Sequence, residues 1–155
     1  MTQLAIGDKA PAISLPRNGG AIVNLSDFAG KKVVLYFYPR DDTSGCTKEA
    51  IGFSNSLDDF AALDTMILGV SKDSVKKHDK FAAKHDLKIT LLSDEHGDVC
   101  ERYGTWVEKK MYGRTYMGIE RATYLIDADG KIAQIWRKVR VPGHVDAVHD
   151  AVRAL

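Results

Sequence analysis

Val33 to Tyr38 reads Val-Val-Leu-Tyr-Phe-Tyr, an unbroken run of β-branched, aliphatic and aromatic side chains set between Lys31-Lys32 and Pro39. Such a run predicts a buried, central strand, because both of its faces need apolar cover. Pro39 ends it by fixing the chain and removing one donor. The polar turn Arg40-Asp41-Asp42-Thr43-Ser44 follows, and from Cys46 onward Ala50, Phe53, Leu57 and Phe60 recur at helical spacing. Strand, turn and helix together place Cys46 at the positive end of a helix, where backbone N–H groups point outward unpaired. Thiolate is the nucleophilic form of cysteine, and that position favours it. Thr43, three residues earlier, brings a hydroxyl that can cap the helix and can also donate to the sulfur or to a ligand.

The remaining pattern fills out an α/β chain. Pro11 and Pro16-Arg17-Asn18-Gly19-Gly20 punctuate an extended, turn-rich start, and Ala21 to Leu25 reads as a short strand. Ser26 caps a brief helical turn ending at Gly30. Thr65 to Val70 and Ile89 to Leu92 read as strands. Between them a helix capped by Asp73 or Ser74 runs to about Asp86, with Val75 and Ala82 inward and His78 a further candidate for that face. Val99 and Tyr103 suggest a short helix ending at Gly104. Ala122 to Asp127 and Lys131 to Lys138 flank Ala128-Asp129-Gly130, a hairpin signal. Val145, Val148, Val152 and Leu155 form the stripe of a last helix. The order βαβ, βα, ββα predicts a sheet flanked by helices.

At 155 residues, with no repeat, linker or low-complexity segment, the chain is expected to be one domain spanning 1–155. Its 22 basic and 21 acidic residues are interspersed, which gives no sign of a nucleic-acid or anionic-membrane partner. No run approaches the roughly 18 apolar residues of a membrane span. Met1 to Ala12 is mixed polar, carries Asp8 and lacks the basic-then-apolar order of a signal peptide, so a cytoplasmic location is the default. Two cysteines fit a reducing compartment, where a thiol is more often catalytic, buried or idle than bridged.

Two blocks carry a family resemblance. The first is Tyr38-Pro39-Arg40-Asp41-Asp42-Thr43-Ser44-Gly45-Cys46-Thr47-Lys48-Glu49, with the pattern Pro-x-x-x-Thr-x-x-Cys. The second runs from Tyr103-Gly104 and Trp106 through Glu108-Lys109-Lys110-Met111-Tyr112-Gly113 to Gly118-Ile119-Glu120-Arg121-Ala122-Thr123-Tyr124-Leu125-Ile126-Asp127. Together they resemble the peroxiredoxins, and most closely the bacterioferritin-comigratory, or Q-type, branch. The likeness extends from about Gly7 to the C-terminal helix. It implies a thioredoxin-like fold, with a central mixed β-sheet flanked by helices.

The resemblance also implies roles. Cys46 is the expected peroxidatic thiol, reducing hydrogen peroxide and organic hydroperoxides through a sulfenic acid. Pro39 is expected to shield the sulfur and Thr43 to orient toward it. Arg121 is expected to reach the sulfur and hold the peroxide oxygens, and Glu49 to orient Arg121. The backbone near Gly45 and Cys46 is expected to stabilise developing charge. Arg40 is a competing cation, expected to face solvent. No metal, haem or flavin is implied. Thioredoxin, glutaredoxin or a small thiol would be the reductant. The protein is expected to act as a monomer, with a dimer as the alternative.

Cys100 has two readings. Relatives carry a resolving cysteine five residues after the peroxidatic one, here Ile51, or on the next helix, here Lys77 to Lys84, and neither place holds a cysteine. Beside Val99, Cys100 fits a core residue of a short helix. A resolving role would instead need local unfolding to bring the sulfurs within bridging distance. His96 and Cys100, spaced i and i+4, offer two ligands, which make a poor metal site. His78, His85, His144 and His149 occur on charged helical faces and require no special role. Two other functions remain open at this point. A thioredoxin-like disulfide reductase would need a thiol where Glu49 stands, and a non-catalytic binding or chaperone module would not need the Thr43, Cys46 and Arg121 set.

Overall fold

The computed structural model describes residues 3–155; Met1 and Thr2, the start of the segment read for a leader pattern, lie outside the described residues. The strand at the centre is β3 (Lys32–Phe37), whose side chains are almost wholly buried on both faces. It pairs in parallel with β4 (Thr65–Ser71) and antiparallel with β8 (Ala122–Ile126). Outside these lie β5 (Thr90–Ser93), parallel to β4, and β9 (Ile132–Trp136), antiparallel to β8. The mixed sheet therefore runs β5-β4-β3-β8-β9, and this is the thioredoxin-like arrangement the resemblance implied.

Alternate residues of β3 enter two different cores, as the two-residue period of a strand requires. Val34 and Tyr36 pack with Phe53 of α1 (Ser44–Asn55), Phe60 of α2 (Leu57–Ala61), Phe81 of α3 (Val75–His85) and Val148 of α5 (His144–Ala154). Val33, Leu35 and Phe37 pack on the opposite face. There the cover comes from β1 (Ser14–Pro16), β2 (Ile22–Asn24), a 3-10 turn at Leu25–Phe28 and α4 (Val99–Arg102). The apolar stripe from Ala50 to Phe60 is one helix in pattern but two in the structure, broken at Ser56.

The hairpin that follows α4 has no counterpart in the sequence reading. Strands β6 (Trp106–Met111) and β7 (Arg114–Ile119) form an antiparallel hairpin outside the main sheet. Its two-residue turn is Tyr112-Gly113, both at positive φ (53° and 76°), the geometry that usually selects Asn-Gly or Asp-Gly. Tyr112 in the Asn position hid the signal. Met111, Tyr112, Tyr116 and Met117 are exposed along this hairpin. Among the described residues, no helix is long and apolar enough to cross a membrane.

Candidate active site

The chain leaves β3 at Phe37, turns through Pro39 to Asp42, and starts α1 with Thr43 as the N-cap residue. The first helical hydrogen bond runs from the Thr47 N–H to the Thr43 carbonyl at 2.8 Å. The N–H groups of Ser44, Gly45 and Cys46 thus precede the helical ladder, at the positive end of a 12-residue helix. Cys46 is 1% exposed.

Arg121 reaches Cys46 from 75 residues away in sequence, and its Nη2 donates to Sγ at 3.3 Å. Topology makes this contact. Because β8 is antiparallel to β3, its first residue, Ala122, pairs with Phe37, the last residue of β3. The residue before β8 therefore lies beside the turn that follows β3. Arg121 Nη1 donates to Glu49 Oε1 at 2.6 Å, so the guanidinium spans thiol and carboxylate. Glu49 is fully buried one turn beyond Gly45. Burial pushes its carboxyl up to about 7, against the pull of Arg121. A β-carbon at Gly45 would lie 3.2 Å from Arg121 Nη2, so glycine there lets the guanidinium lie against the first turn of α1.

Several expected placements differ. The Thr43 hydroxyl donates to the Arg40 carbonyl at 3.0 Å; it makes no side-chain capping bond, and its hydrogen bond is spent on the turn rather than on the sulfur. Pro39 is exposed, and Cys46 belongs to the buried core that contains Tyr36, Tyr38 and Ala50. Arg40 is exposed, as expected of a solvent-facing cation.

Two histidines for which the sequence required no special role are buried, one of them, His78, on the inward face it was a candidate for. His144 is hydrogen-bonded to Thr123 Oγ1 at 2.8 Å. Burial first, and then the Arg121 charge, pull its pKa down to about 4. His78 is enclosed between α3, β5 and the turn after β3. The signal for it was its place on one helical stripe with Phe81 and His85, at i, i+3 and i+7.

Cys100 lies in the other core, on the face of the sheet opposite Cys46. It is fully buried, and its backbone N–H donates to Asp94 Oδ2 at 2.8 Å. Burial and then the Asp94 charge push its thiol pKa up strongly. Both cysteines are free, and the sheet itself stands between them.

Comparison with known proteins agrees with this geometry. A model of the AhpC/TSA family matches residues 6–135. The chain is 50% identical to peroxiredoxin Bcp of Bacillus subtilis over 142 residues, covering 92% of this chain and 90% of the relative. It is 45% identical to peroxiredoxin Bcp of Escherichia coli over 148 residues, covering 96% and 95%. Among solved structures, a mutant of Xylella fastidiosa PrxQ superposes with a TM-score of 0.94 at 37% identity, covering 99% and 98% of the two chains. Xanthomonas campestris peroxiredoxin Q superposes with a TM-score of 0.87 at 44% identity, covering 92% and 90%. Matched at this identity over nearly its whole length, with a cysteine and an arginine paired at the head of α1, the chain belongs to the AhpC/TSA family as a peroxiredoxin, a thiol peroxidase, of the bacterioferritin-comigratory or Q-type branch.

Proposed function

We propose that this chain reduces hydrogen peroxide and organic hydroperoxides with Cys46 as the sole reacting cysteine, and that an external thiol regenerates it. The observation that carries the reading is the Arg121 guanidinium, 3.3 Å from Cys46 Sγ and fixed on its far side by Glu49. A guanidinium stays charged and presents several donors in fixed directions. It stabilises the thiolate and can receive the peroxide oxygens. Sγ attacks the nearer peroxide oxygen, the O–O bond breaks, and that oxygen stays on sulfur as a sulfenic acid. The other oxygen leaves with the electron pair of the broken bond and takes a proton to become water or an alcohol. Arg121 and the N–H groups at Gly45 and Cys46 face the place where that charge develops, which is electrostatic preorganisation. Thr43 acts through the turn it closes on Arg40, and Pro39 acts by ending β3. Organic hydroperoxides are included because a solved Xanthomonas campestris bacterioferritin comigratory protein, trapped as an intermediate/ligand complex, concerns alkyl peroxide reduction.

The external thiol follows from the placement of Cys100 in the other core. A first thiol attacks the sulfenic sulfur and releases water, leaving a mixed disulfide. A second thiol displaces Cys46 and carries away the disulfide. Thioredoxin, glutaredoxin and small thiols all supply this chemistry. Cys46, Glu49 and Arg121 come from a single copy, which supports action as a monomer and one domain over 1–155. Two free thiols support a reducing compartment, the cytoplasm. Glu49 stands where a disulfide reductase carries its second cysteine, and its carboxylate is committed to Arg121.

Peroxide consumption with dithiothreitol as reductant tests the reading. Cys46→Ser should abolish it while circular dichroism stays unchanged. Mass spectrometry after one equivalent of peroxide should find a sulfenic acid on Cys46. A Cys46–Cys100 crosslink in high yield would replace the one-cysteine route with an internal one, and retained turnover in Cys46→Ser would end the assignment of the residue.

A further inference from the structure

The loop that leads into α1 is held by a buried ion pair that takes no part in the chemistry above. Both ring nitrogens of His78 are engaged: Nε2 lies 2.8 Å from the Leu92 carbonyl oxygen of β5, and Nδ1 lies 2.6 Å from Asp41 Oδ2. A carbonyl oxygen accepts and cannot donate, so Nε2 carries a proton. The Asp41 carboxylate accepts the Tyr38 hydroxyl on Oδ1 at 2.6 Å and can only accept at Oδ2 as well. With Asp41 ionised, Nδ1 also carries a proton and the ring is an imidazolium. Burial by itself would pull the His78 pKa down, but the Asp41 bond and charge, the Leu92 carbonyl and the Asp73 charge outweigh it and raise the value.

The charged and titratable groups facing the ring are Asp41 from the loop, Asp73 from the turn before α3, and Tyr38, whose ring centroid is 6.5 Å away. Asp73 Oδ2 also accepts the Asp41 backbone N–H at 2.7 Å, so α3 and its leading turn grip Asp41 twice. Ligating atoms of Asp41, Asp73 and His78 lie within 4.8 Å of one another. With both ring nitrogens already bonded, the group is an internal ion-pair network. Further along, Asp42, at φ 61°, receives Lys84 Nζ at 2.7 Å and His85 Nε2 at 2.9 Å from the same helix. Those contacts are exposed and weaker.

The two halves of the catalytic cycle make opposite demands on this loop. Peroxide attack needs the first turn of α1 closed on Arg121. Reduction needs a thiol sulfur in line behind the S–O bond, and Cys46 is buried. The first turn must therefore move aside after oxidation, and the residues just before it are the ones His78 grips. We propose that His78 is a positioning residue: as a buried imidazolium paired with Asp41, it latches the Asp41–Thr43 loop to α3 and so sets how often the head of α1 opens to the reducing thiol. This rests on Cys46 being the peroxidatic residue.

Rapid quenching with an alkylating agent, read by mass spectrometry, measures the two half-reactions separately with hydrogen peroxide and with dithiothreitol. The variants are His78→Asn, Asp41→Asn and the double change. When the closed state dominates, weakening the latch multiplies the small open fraction and hardly alters the closed one. Reduction of the Cys46 sulfenic acid should be faster by about tenfold in each single variant, while its formation is unchanged or slower. The double variant should be no faster than either single one. A raised histidine pKa means the latch is complete below about pH 6.5 and is lost as pH climbs through the raised value. The variant-to-wild-type ratio of reduction rates should accordingly fall toward one at alkaline pH. Reduction no faster than wild type in Asp41→Asn overturns the proposal. So does a nitrogen-15 spectrum of the wild-type protein showing a neutral His78 ring near pH 6.5; that measurement needs no variant to fold. If wild type forms no sulfenic acid on Cys46, the peroxidase reading fails first and the latch with it.

Discussion

Cys46 and Cys100 are almost equally hidden, at 1% and 0% exposure, yet their surroundings are electrostatic opposites. Cys46 sits at a helix N-terminus with a guanidinium at 3.3 Å. Cys100 sits beside a carboxylate, Asp94, which with burial holds its thiol protonated. Burial removes water from both sulfurs, and the sign of the nearest charge decides which one can be a nucleophile. A lone buried cysteine is usually packing. Cys46 departs from that rule because the chain brings a cation to it.

Removing the cation should erase most of this contrast. Arg121→Ala should slow the reaction of Cys46 with peroxide by roughly 10²-fold or more, as expected for loss of one preorganised donor to a developing charge. Stopped-flow or competition kinetics would measure it, and a loss under about threefold would mean that the helix N-terminus alone activates the sulfur.

The same cation should be visible on a neighbour. His144 has its pKa pulled down to about 4 by burial and by Arg121. Between about 6.5 and 4 the unfolded chain binds a proton there that the folded chain does not, so stability falls as pH falls through that window. The effect is on the order of 3 kcal/mol, readable from urea unfolding at several pH values. His144→Asn should flatten that slope, and an unchanged slope would assign it to other groups.

Glu49 tests how the cation is held. With its carboxyl pushed up to about 7, it loses its charge as pH falls through neutrality, and the ion pair with Arg121 becomes a simple hydrogen bond. The peroxide-reduction rate should therefore show an inflection near 7, as a direct effect of this group. Glu49→Gln should remove that inflection while changing the rate by less than about tenfold, since the amide oxygen can still orient Arg121. A profile that keeps the inflection would place the titration elsewhere.

The smallest effect belongs to the other side of the sheet. Cys100→Ala should leave turnover with dithiothreitol unchanged and lower stability by about 1 kcal/mol, the expected loss for a small buried group. Loss of turnover would show that the sheet does not separate the two sulfurs in function.

How far the sequence could be read follows the range of the forces involved. The β3 run, the proline stop and the helical period after Cys46 are set by neighbours a few residues apart. They were enough to predict a central strand, the helix head and a thiol placed on it. The resemblance supplied Arg121 and Glu49; in the structure Arg121 lies against the sulfur and Glu49 against Arg121. For Thr43 the sequence left several partners open, because a hydroxyl in a turn has several acceptors within reach; in the structure it donates to the Arg40 carbonyl. The Tyr112-Gly113 hairpin went unseen because its turn uses an unusual residue at positive φ.

What the sequence determined by itself is therefore the local frame: an apolar strand that must be covered on both faces, and a cysteine at the head of the helix that follows. Only the tertiary structure decided what that cysteine meets. Antiparallel pairing of β8 with β3 carries Arg121 across 75 residues to the sulfur. The alternation of β3 between two cores puts Cys100 on the far face. The packing of α3 over the loop turns His78 from one more polar helical residue into the buried partner of Asp41. Register and layer order arise from contacts between distant segments, and no local period in the chain encodes them.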